Sequence, residues 1–390
     1  MNKRSVRDLD VANKRVLVRV DFNVPVKNDE VSDDTRIRRA LPTIRYLLRE
    51  GARPVLISHL GRPKGEPDPK YAMDPVAARL QELLGEPVVK LDAAVGPEVE
   101  EALDDWDGRG VVLLENSRFY PGETKNDPGF ADQLAALADL YADDAFGAAH
   151  RAHATTVGVA ERLPAAAGLL MEEEIDYLDT VLEDPERPFV AILGGAKVSD
   201  KLGVIESLLG TADSLLIGGA MGFTFFEALG YETGDSLVEE DYLEEAKRLM
   251  EEAGDRLILP VDVVVAEAME EGAESETVAV DGIPPGRMGL DIGPETIDLF
   301  EEQISRASTI FWNGPMGVFE IDDFAKGTEG VARAVAESGA TSVVGGGDSV
   351  AAVNKLRLED RMSHISTGGG ASLEYVEGKE LPGIAVLPVK

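Results

Sequence analysis

Polar and basic side chains stand close behind several short apolar runs in the first half of the chain. They are Asp21, Asn23, His59, Arg62, Arg118 and Arg151, while Arg36 opens a predicted helix. An arginine guanidinium matches carboxylate and phosphate oxygens in a bidentate fashion, so several that converge would bind a small anion. Singly, each arginine is more often part of a surface ion pair, and their recurrence behind predicted strands is what favours an anion pocket.

Glycine-rich segments recur in the second half of the chain, each between a predicted strand and a predicted helix. They span residues 194–197, 218–220, 345–349 and 367–372. Glycine lets a bound phosphate approach the backbone, and a helix N-terminus adds aimed N–H groups and partial positive charge. One such loop is an ordinary tight turn, but four favour a nucleotide site. None fits the patterns G-x-x-x-x-G-K-[ST] or G-x-G-x-x-G, so the site would be of another class.

Four charged side chains beside these loops suit a nucleotide. Lys197 and Lys201 are four residues apart, and at helical spacing both would point at a phosphate chain, although a solvated lysine pair is the alternative. Asp348 opens a predicted helix, where it is either an N-cap or a ligand of the Mg²⁺ that accompanies a nucleotide. Glu320, in a turn-rich loop, could hold ribose hydroxyls, although a lone loop glutamate is usually solvated.

The elements that must position these residues alternate regularly between β-branched runs and amphipathic segments. Strands are expected at 16–20, 54–58, 87–91, 110–114 and 140–145, and then at 189–193, 214–217, 256–265, 309–312, 341–344 and 362–366. Helices are expected at 35–50, 74–84, 128–139 and 171–185. The sequence therefore predicts an α/β fold of two Rossmann-like lobes with parallel sheets, joined by one helix and separated by a cleft. Ligands would lie at the carboxyl ends of the strands.

Composition excludes several classes of protein. The 390 residues include 38 Lys and Arg against 73 Asp and Glu, a net charge of −35, and no cysteine. This charge argues against nucleic acid and anionic membranes as partners, and the lack of cysteine excludes disulfides and thiolate sites. No apolar run approaches the roughly 20 residues of a membrane span, so we expect a cytoplasmic protein.

The acidic charge is uneven along the chain. Residues 1–170 carry a net charge of −5, residues 171–390 carry −30, and residues 1–62 carry +6. A local basic excess in an acidic chain suggests an anionic ligand on the first half. The acid excess itself suggests a salt-adapted surface that stays hydrated in concentrated salt.

Eight segments together resemble the phosphoglycerate kinase family, in family order and along nearly the whole chain. They are RVDFNVP (19–25), SHLGRP (58–63), LLENSRF (113–119), DDAFGAAHRAH (143–153), LGGAKVSDK (193–201), WNGPMGVFE (312–320), GGGDS (345–349) and STGGGAS (366–372). The resemblance implies reversible phosphoryl transfer between 1,3-bisphosphoglycerate and ADP. It also implies a phosphoglycerate-binding domain at 1–170, an interdomain helix at 171–185, a nucleotide-binding domain at 186–372 and a segment at 373–390 that returns to the first domain.

The resemblance also assigns the site residues. Those of the phosphoglycerate site would be Asp21, Asn23, Arg36, His59, Arg62, Arg118 and Arg151. Those of the nucleotide site would be Lys197, Lys201, Glu320, Gly346, Gly347, Asp348 and Ser349, with Asp348 contacting Mg²⁺. Arg36 and Lys197 would flank the transferring group, assisted by the amides of Gly369 and Gly370.

The attacking oxygen in this reaction is already anionic at neutral pH, so no general base is needed and catalysis depends on alignment and charge stabilisation. The lobes would close like a hinge to exclude water. We expect a monomer whose partners are these small molecules. Two alternatives stay open at this point: a kinase of another carboxylate, and a non-catalytic nucleotide-binding regulator.

Overall fold

The computed structural model describes residues 2–390, which divide into two compact units. The first unit contains residues 2–176 and 380–390, and the second contains residues 177–379. The boundary near 176 falls inside the helix Leu169–Leu182, where the sequence predicted a helix at 171–185.

The first unit is built on a six-stranded parallel sheet. The strands of the unit as a whole are β1 (Arg15–Arg19), β2 (Val26–Lys27), β3 (Glu30–Val31), β4 (Arg53–Ile57), β5 (Val88–Lys90), β6 (Val111–Leu113), β7 (Leu140–Asp143) and β8 (Ala165–Ala167). Its helices are α1 (Thr35–Arg49), α2 (Asp74–Leu84), α3 (Pro97–Asp105), α4 (Pro128–Ala135) and the start of α5 (Leu169–Leu182). The sheet has the order β5-β6-β4-β1-β7-β8, while β2 and β3 form a separate antiparallel pair.

Local sequence explains where these elements begin and end. The helix α2 has proline in its first turn and ends at Gly85, whose left-handed conformation lets its N–H bond back to Gln81. The strands β6 and β7 are buried along their whole length, as expected of parallel strands covered on both faces. Val18, Leu56 and Leu113 belong to the core beside this sheet.

The second unit contains a parallel sheet and a smaller antiparallel one. Its strands are β9 (Phe189–Leu193), β10 (Ser214–Ile217), β11 (Leu257–Ile258), β12 (Asp262–Ala266), β13 (Ser275–Ala279), β14 (Met288–Ile292), β15 (Thr309–Asn313), β16 (Thr341–Gly345) and β17 (His364–Ile365). Its helices are α6 (Leu202–Leu209), α7 (Met221–Ala228), α8 (Leu243–Ala253), α9 (Pro294–Ser305), α10 (Lys326–Glu337), α11 (Gly347–Lys355) and α12 (Gly370–Val376). The parallel sheet has the order β11-β10-β9-β15-β16-β17, and the antiparallel sheet has the order β13-β12-β14.

The register of the central strands brings the glycine-rich loops together. In β15, Asn313 pairs with Leu193 of β9 on one side and with Gly345 of β16 on the other. Because these strands are parallel, their carboxyl ends meet at one edge, and the loops that follow them start side by side.

The strand predicted at 256–265 is wrong. The structure has two strands there, β11 and β12, and they belong to different sheets. Pro260 lies between them, and proline supplies no N–H to continue a ladder, so the chain leaves one sheet and enters the other.

The C-terminal residues 380–390 lie in the first unit and include the short helix α13 (Pro382–Ala385). Lys3 and Val389 form an antiparallel bridge, and the Arg4 N–H donates to the Pro388 carbonyl at 2.8 Å. Residues 373–379, by contrast, belong to the second unit.

Within residues 2–390, no helix combines the length and apolar character needed to cross a bilayer.

Candidate active site

In the first unit, the start of α1 is tied to the end of β1. Arg36 lies in the first turn of α1, and its Nη1 donates to Asp21 Oδ2 at 2.6 Å. Asp21 is nearly buried, whereas about a third of the Arg36 side chain is exposed, 35%. The guanidinium is therefore held by Asp21 while the side chain stays partly exposed.

The backbone of Gly61 links two more of the predicted residues. Asn23 Oδ1 accepts a hydrogen bond from the Gly61 N–H at 2.8 Å, and Arg118 Nη1 donates to the Gly61 carbonyl at 2.8 Å. Arg118 Nε is buried and makes no hydrogen bond within the described chain. These contacts gather the loops that follow β1, β4 and β6.

The charges of the basic side chains act on one another. Burial lowers the pKa of His59 well below its ordinary value, and the charges of Arg19, Arg118 and Arg36 lower it further. Burial also lowers the pKa of His153 to about 4, with Arg19, Arg118 and Arg151 adding to the effect. The same causes, burial and then neighbouring arginines, lower the pKa of Arg118. Cations that destabilise each other's charge form a site that a bound anion would stabilise.

Arg62 and Arg151 are exposed members of a basic cluster, which we define as Arg19, Arg36, His59, Arg62, Arg118, Arg151 and His153. Both arginines are exposed, and each is near enough to shift the pKa of a cluster member: Arg62 that of Arg118, and Arg151 that of His153. All the residues predicted for the anion pocket are therefore within or beside one group.

Arg19, which is fully buried in β1, is not among the residues predicted from the sequence. Its Nη2 lies 2.9 Å from His59 Nδ1, and its Nε donates to Thr155 Oγ1 at 2.8 Å. Thr155 Oγ1 in turn donates to the buried carboxylate of Glu123 at 2.6 Å. A charged residue inside the apolar run VLVRV is a signal that could have found it, because such a residue is rarely buried without partners.

In the second unit, Lys201 is buried and its Nζ donates to Asn313 Oδ1 at the end of β15. Burial lowers the pKa of Lys201 to about 8. Asn313 Nδ2 is buried as well and makes no hydrogen bond within the described chain. An ammonium, and an amide N–H without a partner among the described residues, thus lie at the end of β15.

The prediction that Lys197 and Lys201 share a helical face is wrong. The segment between them is loop and turn, and α6 begins only at Leu202. Lys197 is exposed whereas Lys201 is buried, so the two lysines have different surroundings. Glycines 194 and 195 keep this segment irregular after β9.

A cavity of about 860 Å³ lies beside the carboxyl ends of β9, β10 and β15. Gly195, Gly219, Glu320 and Asp348 line it together. Its apolar walls include Phe223, Phe226, Leu237, Val238, Val263 and Met288. A slot with apolar walls and a polar rim suits a flat ring that carries charged groups at one end.

Asp348 does not cap α11. The N-cap is Gly346, at φ 89°, and Asp348 is the second residue of the helix with an exposed carboxylate. The N-cap alternative is therefore wrong, and the carboxylate is left for solvent or a ligand. Ser349 Oγ instead accepts from the Gly314 N–H at 2.6 Å, which ties the start of α11 to the loop after β15.

Gly369 and Gly370 form the start of α12, with Gly369 as its N-cap. The turn before them is held by Ser366, whose Oγ accepts from the Gly368 N–H at 3.1 Å and lies 2.6 Å from Ser372 Oγ. Across residues 2–390 there is no group of three or more His, Asp or Glu side chains placed to hold a metal ion.

One unit of the chain combines a parallel sheet with a basic cluster. The other combines a parallel sheet with a glycine-lined cavity and a buried lysine. These features together are those of a phosphotransferase of the kinase class. A model of one such family, phosphoglycerate kinase, matches residues 6–379. The chain belongs to the phosphoglycerate kinase family.

Relatives from other organisms cover the chain from end to end. It is 78% identical over 388 residues to the phosphoglycerate kinase of Rubrobacter xylanophilus, covering 100% of this chain and 99% of that protein. The phosphoglycerate kinase of Thermosipho africanus is 56% identical over 397 residues, with 100% of this chain and 99% of the relative covered.

Solved structures share the fold. The phosphoglycerate kinase of Coxiella burnetii superposes with a TM-score of 0.89 at 41% identity, and that of Pyrococcus horikoshii with 0.85 at 34% identity. Each comparison covers 98% of both chains. The family, the α/β fold with two parallel sheets and the kinase activity predicted from the sequence are thereby confirmed.

Proposed function

We propose that this chain transfers the acyl phosphate of 1,3-bisphosphoglycerate to ADP, reversibly, giving ATP and 3-phosphoglycerate in glycolysis and gluconeogenesis. The observation that carries the proposal is the basic cluster of the first unit, in which burial and mutual repulsion lower the pKa of His59, His153 and Arg118. A ligand with a carboxylate and a phosphate at its two ends would relieve that repulsion.

The phosphoglycerate would be bound by Arg36, His59, Arg62, Arg118 and Arg151, with Asp21 and Asn23 holding the neighbouring groups. Arg36 would contact the transferring group with the part of its guanidinium that Asp21 leaves open. Asn23 would act through Gly61, because its Oδ1 already accepts from that N–H.

The nucleotide would occupy the cavity of the second unit. Its base would lie against the apolar wall that includes Phe223 and Met288, and Glu320 at the rim would accept from ribose hydroxyls. Lys201 and the backbone N–H groups of Gly346, Gly347 and Ser349 would hold the phosphates. The exposed Lys197 and the amides of Gly369 and Gly370 would stabilise the transferring group.

Asp348 fits a magnesium ion that arrives with the nucleotide. Its carboxylate is exposed, lines the cavity and does not cap its helix. Mg²⁺ in kinases is usually held by one or two carboxylates, water and substrate phosphates, so a single aspartate is enough. When bound, the ion would neutralise phosphate charge.

The transfer would need no proton acceptor on the enzyme. A β-phosphate oxygen of ADP forms the new P–O bond, the bond from phosphorus to the acyl oxygen breaks, and its electron pair stays on the carboxylate of 3-phosphoglycerate. The residues of this chain would align the two oxygens and stabilise the charge between them.

Since water would compete as acceptor, we expect the two units to move closer when both substrates are bound, a change that small-angle scattering would detect.

The acidic surface would adapt the enzyme to salt. In the segment that contains β13, the carboxylates of Glu267, Glu270, Glu271, Glu274 and Glu276 are all exposed. Because added salt screens repulsion between such charges, the melting temperature should rise with KCl, and a constant or falling value would contradict this part of the proposal.

The monomeric state and the cytoplasmic location stay predictions. Size-exclusion chromatography would test the first of them.

A coupled assay tests the function itself. Consumption of ATP should require 3-phosphoglycerate and Mg²⁺, in dilute buffer or in molar KCl. Turnover only with another carboxylate would favour a different carboxylate kinase, and nucleotide binding without turnover would favour a regulator.

A further inference from the structure

Arg19 stands inside a buried strand and yet makes directed contacts with three groups. Its Nε donates to Thr155 Oγ1 at 2.8 Å, its Nη1 to the Val20 carbonyl, and its Nη2 lies 2.9 Å from His59 Nδ1. Only 1% of Arg19 is exposed to solvent, so it has little access to any ligand itself. Its effect on chemistry would therefore pass through a neighbour.

The contact with His59 determines which ring nitrogen carries the proton. An arginine side chain has only N–H donors and no acceptor, so Nη2 must donate and Nδ1 must accept. A neutral imidazole with an accepting Nδ1 carries its hydrogen on Nε2. The structure thus specifies the tautomer of His59 through one heavy-atom contact.

The surroundings of His59 also oppose a second proton on the ring. Arg19 faces it from β1, Arg36 from α1, Arg118 from the turn after β6 and His153 from the segment after β7. Burial and these cations together lower the pKa of His59 well below its ordinary value. The ring therefore stays neutral within a cluster of cations.

His59 Nε2 is the atom left for a ligand. Across residues 2–390, the recorded hydrogen bonds of His59 involve its Nδ1 and its carbonyl, and none involves Nε2. This nitrogen has no partner within the described chain and yet is not one of the fully buried polar atoms, so some of its surface is accessible to solvent. A neutral N–H there would donate to a carboxylate or phosphate oxygen.

Arg19 is itself held firmly. The hydroxyl that accepts from its Nε belongs to Thr155, which donates to Glu123 Oε1 at 2.6 Å, and Glu123 Oε2 also accepts from the Thr155 N–H at 3.1 Å. Glu123 is fully buried and supplies the opposite charge. Chains of buried hydrogen bonds of this kind fix the geometry of their members.

We propose that Arg19 is a positioning residue that fixes His59 as the neutral Nε2–H tautomer, which donates a hydrogen bond to an oxygen of the anion bound in the basic cluster. The identity of that anion as 3-phosphoglycerate rests on the proposed function. The tautomer does not, because it follows from the contact between Arg19 and His59.

The tautomer can be measured without any assay of activity. The chain has four histidines, so the ¹⁵N-imidazole spectrum of the full-length protein is simple, and the spectrum of the His59→Gln variant assigns the His59 signals. At pH 6.5 we expect His59 Nδ1 to resonate as an unprotonated nitrogen and Nε2 as a protonated one. A doubly protonated ring, or a proton on Nδ1, would overturn the proposal.

Substitutions test the positioning role. The variant Arg19→Lys keeps the charge but not the forked donor, so the His59 spectrum should show a mixture of tautomers and the KM for 3-phosphoglycerate should rise. Arg15→Lys changes an arginine of the same strand whose contacts are Leu103 and Asp104, and it should change neither. An Arg19→Lys protein with the native His59 spectrum would contradict the role of Arg19.

A second pair of variants keeps the proposal testable if Arg19→Lys does not fold. His59→Gln can place an amide N–H near the position of Nε2, whereas His59→Asn reaches only the position of Nδ1. We expect His59→Gln to keep the KM for 3-phosphoglycerate within about threefold and His59→Asn to raise it about ten- to a hundredfold, the range for a hydrogen bond to a charged group. Equal effects of the two would overturn the donor role of Nε2. A protein with the Nε2–H tautomer but no turnover would support the tautomer and contradict the proposed function.

Discussion

Arg36 Nη1 donates to Asp21 Oδ2 at 2.6 Å, and this contact joins the first turn of α1 to the end of β1. The aspartate thereby fixes the direction of a guanidinium whose side chain stays partly exposed. The helix contributes as well, since its buried face, which includes Ile37, Ile44 and Leu47, holds α1 against the core.

Asp21→Asn should lower kcat about ten- to a hundredfold, because the amide holds Arg36 less firmly and a misaligned catalytic group costs rate steeply. The KM for ATP should stay unchanged, since Asp21 belongs to the first unit. Steady-state kinetics with both substrates provides the measurement. Asp10→Asn is the control, because Asp10 is exposed and 4.0 Å from Lys14. A kcat equal to that of the parent would show that Asp21 does not orient Arg36.

The KM for ATP should rise as pH increases above about 8. Burial lowers the pKa of Lys201 to about 8, so its ammonium is charged below that pH and loses its proton above it. Lys201→Met should raise the KM about ten- to a hundredfold at pH 7 and remove the rise above pH 8. Lys247→Met, at an exposed lysine of α8, serves as the control. A wild-type KM that stays constant from pH 7 to 9.5 would count against Lys201 as the phosphate ligand.

Gly219→Ala should impair both folding and nucleotide binding. Gly219 has φ +70°, and an added Cβ would lie 2.5 Å from the backbone of Gly195, on the wall of the cavity. Gly230 is a matched control, with φ +88° and nothing within 4 Å of an added Cβ. Both variants should lose about 1 kcal/mol of unfolding free energy to the left-handed backbone, and Gly219→Ala about 1 to 3 kcal/mol more. Urea denaturation and the KM for ATP measure the two effects, and equal losses would refute the close approach.

Asp144→Asn should become more stabilising as pH rises. Burial raises the pKa of Asp144 to about 8, while its carboxylate oxygen accepts from the Leu170 N–H at the start of α5. Between pH 4 and 8 the folded state keeps a proton that the unfolded state has lost, so the wild type loses stability as pH rises through this window. The unfolding free energy of Asp144→Asn relative to the wild type should thus be larger at pH 8.5 than at pH 5, by more than about 1 kcal/mol. Asp105→Asn, at an exposed site, should show no such change, and a constant difference for Asp144→Asn would contradict the raised pKa.

Buried parallel strands were predicted well from the sequence. The strands at 189–193 and 214–217 have the predicted bounds, because unbroken β-branched and aliphatic runs bounded by turns indicate strands covered on both faces. The antiparallel strand β13, with most of its residues exposed, carries no such apolar run and was missed. Pro260, which divides β11 from β12, is a local signal that the prediction of one strand at 256–265 did not use.

The candidate site was predicted by residue type and position after strands, but its contacts depend on tertiary structure. Arg19 and Thr155 are 136 positions apart, so the sequence alone does not show that they meet. Asn313 lies 112 positions from Lys201, and no local pattern marks it, although it supplies the oxygen to which the buried ammonium donates. The spacing of Lys197 and Lys201 fits one face of a helix, but two glycines keep that segment irregular.

The most direct test of the account compares Arg36→Ala with Arg49→Ala in the assay of ATP consumption with 3-phosphoglycerate. Both arginines lie on α1, and Arg49 is an exposed residue paired with Glu50 at the other end of the helix. We expect Arg36→Ala to lower kcat by about a hundredfold or more with the fold intact by circular dichroism, and Arg49→Ala to keep the rate of the parent. Near-normal turnover by a folded Arg36→Ala protein would contradict it.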